Sequence, residues 1–166
     1  MDAGRCFHRV DVRRRAGVAP APDGLVASDG YGQGMFNAPE VALERTQAIV
    51  AQLPDVERSD NPLGCYFLVR RKIFAQVATL IDPGGRVSTI VAMRPDPEER
   101  EALIAIGRPY FSRGPWDDRL GRIAVLIEAA TDWDEIAELV TDSYRLTAPK
   151  KLVAQLDNPD RRTDNE

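Results

Sequence analysis

The sequence predicts an α+β fold, an antiparallel sheet packed with helices, on three observations. Apolar residues alternate or run unbroken through three short stretches between residues 63 and 93. Tight polar turns separate those stretches, and capped segments with apolar residues at three- and four-residue spacing stand before and after them. The chain has 166 residues, the size of one domain. Its 43% hydrophobic and 29% charged residues exclude a wholly disordered or collagen-like chain, since this composition can bury a core.

The elements follow in order. Asn37 with Glu40 three residues later resembles a capping box, and Pro39 sits in the first turn, where a missing N–H costs nothing. A helix to about Gln52 is expected, with Ala42, Leu43, Thr46, Ile49, Val50 and Leu53 on one face and Pro54 ending it. Leu63, Cys65, Phe67 and Val69 alternate with Tyr66 and Leu68, giving a strand with one deeper face. Ile73–Leu80 is a second strand, and Arg70, Arg71 and Lys72 between the two read as a tight hairpin. Asp82–Gly85 is a turn, and Val87–Met93 completes a three-stranded meander.

Asp96 caps a helix to about Ile106, with Pro97, Glu98 and Glu99 in its first turn, Leu103 and Ile106 facing inward, and Gly107 ending it. Residues 108–120 read as a long exposed loop pinned by Tyr110, Phe111 and Trp116. Gly121–Glu128 is a further strand. Asp132 with Glu135 opens a helix carrying Ile136, Leu139, Val140 and Tyr144 on one face, and Pro149 restarts a last helix to Leu156. The domain is therefore placed at 39–156, with a charged, frayed tail at 157–166.

Residues 1–38 hold six of the twelve glycines and no sustained apolar period, and are read as a disordered arm. The alternative is that translation begins at Met35, which mass spectrometry of the native protein would decide. Asp2, Asp11, Asp23 and Asp29 offset four of the arm's five arginines, which argues against a nucleic-acid-binding arm.

Several function classes are excluded or left without support. No apolar run approaches the roughly 20 residues that span a bilayer, and the N-terminus lacks a signal-peptide core, so a cytoplasmic protein without a membrane partner is expected. Cys6 and Cys65 fall in unlike contexts and His8 stands outside the domain, which disfavours a disulfide framework, a zinc site or a histidine triad. Asp117 and Asp118 read as a solvated loop pair, Cys65 as a buried strand thiol, and Asp82–Gly85 as a turn without the lysine and helix of a phosphate loop. No catalytic residue, metal ligand or cofactor site is therefore named, and an enzyme is not expected.

Cations are the remaining signal. The net charge is −4, so any basic site must be local. Arg70, Arg71 and Lys72 crowd a hairpin tip; Arg108, Arg113, Arg119 and Arg122 surround the aromatic loop; Lys150 and Lys151 open the last helix. Converging, they would neutralise phosphates beside an aromatic contact. Scattered, they are an ordinary soluble surface. The aromatic loop also suits a groove for a partner peptide.

The segments LPDVERSD at 53–60, VRRKIFAQV at 69–77, RPDPEEREAL at 94–103 and TDWDEIAELVTDSYRLTAPKKLVAQL at 131–156 resemble the MmcQ/YjbR family. The most specific pieces are Lys72–Ala75 and Ser143–Lys150. The resemblance implies an α-β(3)-α-β(2)-α arrangement like that of secretion chaperones, with a fifth strand near 108–119. It also implies DNA binding through hairpin wings, here Arg70–Arg71–Lys72 and the loop leading to Gly121 and Arg122. Two positions depart from the family pattern: Arg71 stands where a hairpin glycine is common, and Arg122 where an aromatic follows the strand's glycine. Weak, largely sequence-independent phosphate contact with double-stranded DNA through the hairpin and loop arginines is thus expected. The alternative is a non-enzymatic, chaperone-like module holding a protein or peptide.

Overall fold

The computed structural model describes residues 38–158. The expected arm, the Met35 start, the Asn37 cap and the tail beyond Asn158 lie outside the described residues. Helix α1 (Ala38–Val50) leads into β1 (Val56–Asn61), β2 (Gly64–Val69), β3 (Lys72–Ile81) and β4 (Val87–Met93). Then come α2 (Pro97–Ile106), β5 (Tyr110–Phe111), α3 (Pro115–Leu120), β6 (Ile123–Leu126), α4 (Trp133–Thr147) and α5 (Lys150–Asp157). The six strands form one antiparallel sheet in the order β1-β2-β3-β4-β6-β5.

The alternation read in β2 is the observed one: Cys65, Phe67 and Val69 are buried and Tyr66 and Leu68 half-buried. With Val77, Val91, Met93, Ile123 and Val125 they form the helix-covered face, against Ala42 and Val50 of α1 and Ile136, Leu139, Val140 and Tyr144 of α4. The opposite, open face carries a smaller cluster of Ala78, Ile90, Ala92 and Ala124, flanked by Leu80, Phe111 and Leu126.

The antiparallel α+β architecture is as expected, with one strand more in front of the meander. β1 has the sequence VERSDN, polar at almost every position, and pairs along all six residues with β2 alone. It is an edge strand held by its ladder, and Glu57, Arg58 and Asp60 discourage pairing with another chain. Gly64 explains how β2 starts: its φ is +148°, and a Cβ there would lie 2.0 Å from the Val77 carbonyl oxygen. Gly64→Ala is expected to destabilise the domain by about 3 kcal/mol, from backbone strain and overpacking together. Urea unfolding would measure this, and a midpoint equal to wild type would refute it.

Asp96 and Asp132 cap their helices as read, Asp96 accepting from the Glu98 N–H and Asp132 from those of Asp134 and Glu135. The reciprocal half of the second box is different, because the Glu135 carboxylate takes the Tyr110 hydroxyl as a donor. Ile106 is exposed, and the inner face of α2 is carried by the buried Leu103 with the half-buried Ile104 beside it.

The stretch 108–120 is not a long exposed loop. Tyr110 is buried as part of β5, the stretch also forms α3, and of its three aromatic side chains Trp116 is 62% exposed and pins nothing. The strand expected at 121–128 is shorter, because Gly121, at φ +66°, ends α3 with its N–H on the Asp117 and Asp118 carbonyls.

Candidate nucleic-acid interface

The β2–β3 turn is built from arginine. Val69 pairs with Lys72, so Arg70 and Arg71 are the two loop residues, with φ of 49° and 65°. Positive φ at both positions is the type I′ geometry, which follows the twist of the flanking strands and ordinarily selects Asn-Gly. A Cβ in this region crowds the following carbonyl oxygen, which costs about 1–2 kcal/mol per residue. Arg70 is steadied from outside, its Nε 2.9 Å from Asp55 of the α1–β1 turn. Arg71 and Lys72 are exposed and have no ion pair among the described residues.

The sheet register brings a second cation to this end. Met93 closes β4 opposite Ala75 on one side and opposite Ile123 on the other, so Arg94 and Arg122 come next to each other where the two strands meet the hairpin. The Arg122 guanidinium reaches across to the Ile73 carbonyl, with Nη2 at 3.5 Å. Arg94 lies over Gly121, where an added Cβ would be 3.7 Å from its Nε. Burial, then the charge of Arg113, lowers the Arg122 pKa from its ordinary value, with Asp117 and Tyr66 opposing. It stays protonated at neutral pH, so a half-buried charge sits beside the hairpin.

The main chain of Arg122 is fixed from both sides. Its N–H donates to the Asp117 carbonyl at 2.9 Å, and its carbonyl accepts from Arg100 Nε at 2.9 Å. Arg100 continues to Asp118 at 2.6 Å. Asp117 is therefore no member of a solvated pair: it is 1% exposed and accepts from the Arg113 N–H, Nε and Nη2 at 3.0, 2.7 and 2.8 Å. Burial pushes its carboxyl pKa up, but the Arg113 hydrogen bonds and charge outweigh this and hold it below the usual aspartate value. Arg113 also donates to Gln76 at 3.2 Å, tying residues 112–122 onto the open sheet face.

Of the nine residues named from sequence, Arg70, Arg71, Lys72 and Arg122 are brought together. Arg113 is engaged by Asp117. Arg108 pairs with Glu128 and, with Arg86 and Val87, borders a cavity near the start of β4, away from the hairpin end. Arg119 stacks over the Trp116 ring, 4.6 Å from its centre. Lys150 and Lys151 are exposed at the start of α5. Sequence reasoning missed Arg94 and Arg100, whose proximity to Arg122 depends on the β4–β6 pairing. Among the described residues no group of three His, Cys, Asp or Glu side chains is placed to hold a metal ion. No helix among them is long and apolar enough to cross a membrane. Cys65 is a buried free thiol whose pKa burial pushes up.

The motifs that carried the family resemblance hold this end of the sheet together. Ser143 Oγ donates to the Phe74 carbonyl at 2.5 Å and accepts from the Arg94 N–H at 2.9 Å. Tyr144 packs edge-on against Phe74, with ring centres 5.3 Å apart, and donates its hydroxyl to the Pro54 carbonyl at 2.7 Å. Their residues join α4 to three segments around the hairpin.

The turn geometry makes a prediction. Arg71→Gly relieves about 1–2 kcal/mol of left-handed strain and adds about 0.5–1 kcal/mol of unfolded-chain entropy, so the variant is expected to gain up to about 1.5 kcal/mol. Thermal unfolding would show a higher midpoint; a lower one would mean that the Arg71 side chain makes stabilising contacts that outweigh the strain.

Fold and site together define a class: an α+β protein with a six-stranded antiparallel sheet, α1 and α4 packed on one face and a cationic end around one hairpin. The YjbR family model matches residues 51–146, and the chain belongs to that family. No curated protein matches the sequence. A solved protein from Deinococcus radiodurans, DR2400, described as carrying a DUF419 domain, is 18% identical, with 69% of this chain and 87% of that one covered at a TM-score of 0.51. A Pseudomonas syringae protein is 15% identical, covering 65% of this chain and 97% of that one at a TM-score of 0.48. At these identities the likeness to DR2400 concerns the fold alone.

Proposed function

We propose that this chain is a non-enzymatic, cytoplasmic DNA-binding protein that contacts phosphates weakly and without sequence preference through the hairpin end of its sheet. The observation that carries the reading is the approach of Arg122 to Ile73, which sets a half-buried guanidinium beside two arginines held at positive φ. A strained turn whose residues are the wrong ones for its geometry is a feature of sites where the side chain has a role. Arg71, Lys72, Arg94 and Arg122 form the contact set, and four phosphate contacts imply a salt slope of about −3 to −4. The domain's 15 basic and 18 acidic residues over 39–156 add no long-range attraction, which makes the binding weak.

Fluorescence anisotropy of the full chain with a labelled duplex, at low and near-physiological salt, tests this. Saturable binding with that slope is the expected result; no binding at low salt would overturn it.

A second reading rests on the open sheet face. A groove of about 620 Å³ there has Leu80, Phe111 and Leu126 along it and Arg86 and Arg108 beside them, a composition suited to an extended peptide with an acidic residue. Recovery of one partner from nuclease-treated lysate, lost on Leu126→Arg, would favour it.

A further inference from the structure

We infer that the Trp116–Arg119 pair is a stacking platform for an unpaired nucleobase, so that the preferred ligand is single-stranded or locally opened nucleic acid. This deepens the proposed function and rests on its cationic hairpin end.

Three observations carry it. Trp116 is 62% exposed, the greatest exposure of any aromatic side chain among the described residues. Of the six residues of α3 only Asp117 is buried, so the indole takes no part in the core. The guanidinium of Arg119 lies over the ring at 4.6 Å, so one face of the indole is covered by a cation and the other is left for a planar group. A base stacked there would meet an extended π surface with the Arg119 charge behind it, while the strand's phosphates are met by the cationic hairpin end. Base–aromatic stacking is tolerant of sequence, which agrees with phosphate contacts that read none.

The platform is also held in place. Asp117, next to Trp116, is the buried anchor of the segment: its carboxylate takes Arg113 and its carbonyl takes the Arg122 N–H. The main chain on either side of Asp117, from Arg113 to Arg122, is thus held in place before any ligand arrives. A base inside an intact duplex has both faces occupied by its neighbours and cannot use the indole; an unpaired base can.

The test is a fluorescence titration of the full chain. The second tryptophan, Trp133, is part-buried against the core, and Trp133→Phe leaves Trp116 as the sole reporter. Three probes are compared at equal phosphate count: an oligothymidylate, a duplex, and an abasic strand. The oligothymidylate is expected to quench Trp116 and to bind on the order of tenfold more tightly than either other probe. Trp116→Ala should remove that preference and leave the salt slope, with circular dichroism showing an unchanged fold. Equal affinity for abasic and base-containing strands would overturn the platform, and a Trp116 that serves a protein partner would give that result. Duplex binding with a steep salt slope and no quench would overturn the platform while sparing the cationic end. No binding of any probe at low salt would overturn both.

Discussion

Asp117→Ala is expected to destabilise the domain by about 3 kcal/mol. The substitution removes the carboxylate from a nearly buried ion pair and leaves the Arg113 guanidinium, itself 21% exposed, without its counter-charge and with Gln76 as its remaining side-chain acceptor. Chemical unfolding would show a reduced midpoint with an unchanged slope, and a loss under 1 kcal/mol would mean that water replaces the carboxylate. The same pair sets an acid limb. The Asp117 pKa is lowered in the folded state, so the unfolded chain binds the proton more readily. The stabilisation is fully present above the unfolded aspartate value of about 4 and is lost as pH falls through the lower folded value. Asp117→Asn should therefore flatten the dependence of stability on pH below about 4 relative to wild type. An acid limb of undiminished steepness in the variant would assign it to other carboxylates, of which Asp118 is the first to examine, since hydrogen bonds from Ser112 and Arg100 lower its pKa as well.

Arg71→Ala combined with Arg122→Ala is expected to lower duplex affinity by on the order of tenfold or more at low salt and to reduce the salt slope by about two units. The slope is the more telling reading, because a general loss of structure would weaken binding without removing a defined number of counterions. Arg108→Ala is the matched control: that arginine pairs with Glu128 away from the hairpin end, and its removal should leave both quantities unchanged. A double variant with the wild-type slope would dismiss the hairpin end as the contact, and a reduced slope in the Arg108 variant would move the contact toward the groove on the open face.

The two sets of predictions are linked through one segment. Asp117 anchors Arg113 through its carboxylate and takes the Arg122 N–H on its carbonyl, so losing the carboxylate loosens the segment that ends at Arg122 and bears on both stability and binding. Arg71→Gly separates the two: it is expected to raise stability while lowering affinity, as befits a side chain placed in a conformation that glycine would hold more easily.

Much of the architecture was legible because its signals are local. The alternation of β2, the apolar run of β3, the Asp96 and Asp132 caps and the Ile136–Tyr144 face each depend on residues a few positions apart, and each was found where it was read. β1 was not legible, because a polar edge strand has no period of its own and exists through its ladder to β2. The two-residue β5 and the six-residue α3 are too short to leave a periodic trace.

For the site, the sequence by itself determined which cations are available and that three of them stand at a hairpin tip. It did not determine their company. That Arg122 reaches Ile73, that Arg94 lies beside it and that Arg113 meets Gln76 all follow from the β4–β6 pairing and from the fold of residues 112–122 over the open face. Those are contacts between residues up to 49 positions apart. The physical reason is that a charge's availability depends on burial and on the nearest opposite charge, and both are properties of the assembled chain rather than of any stretch of it.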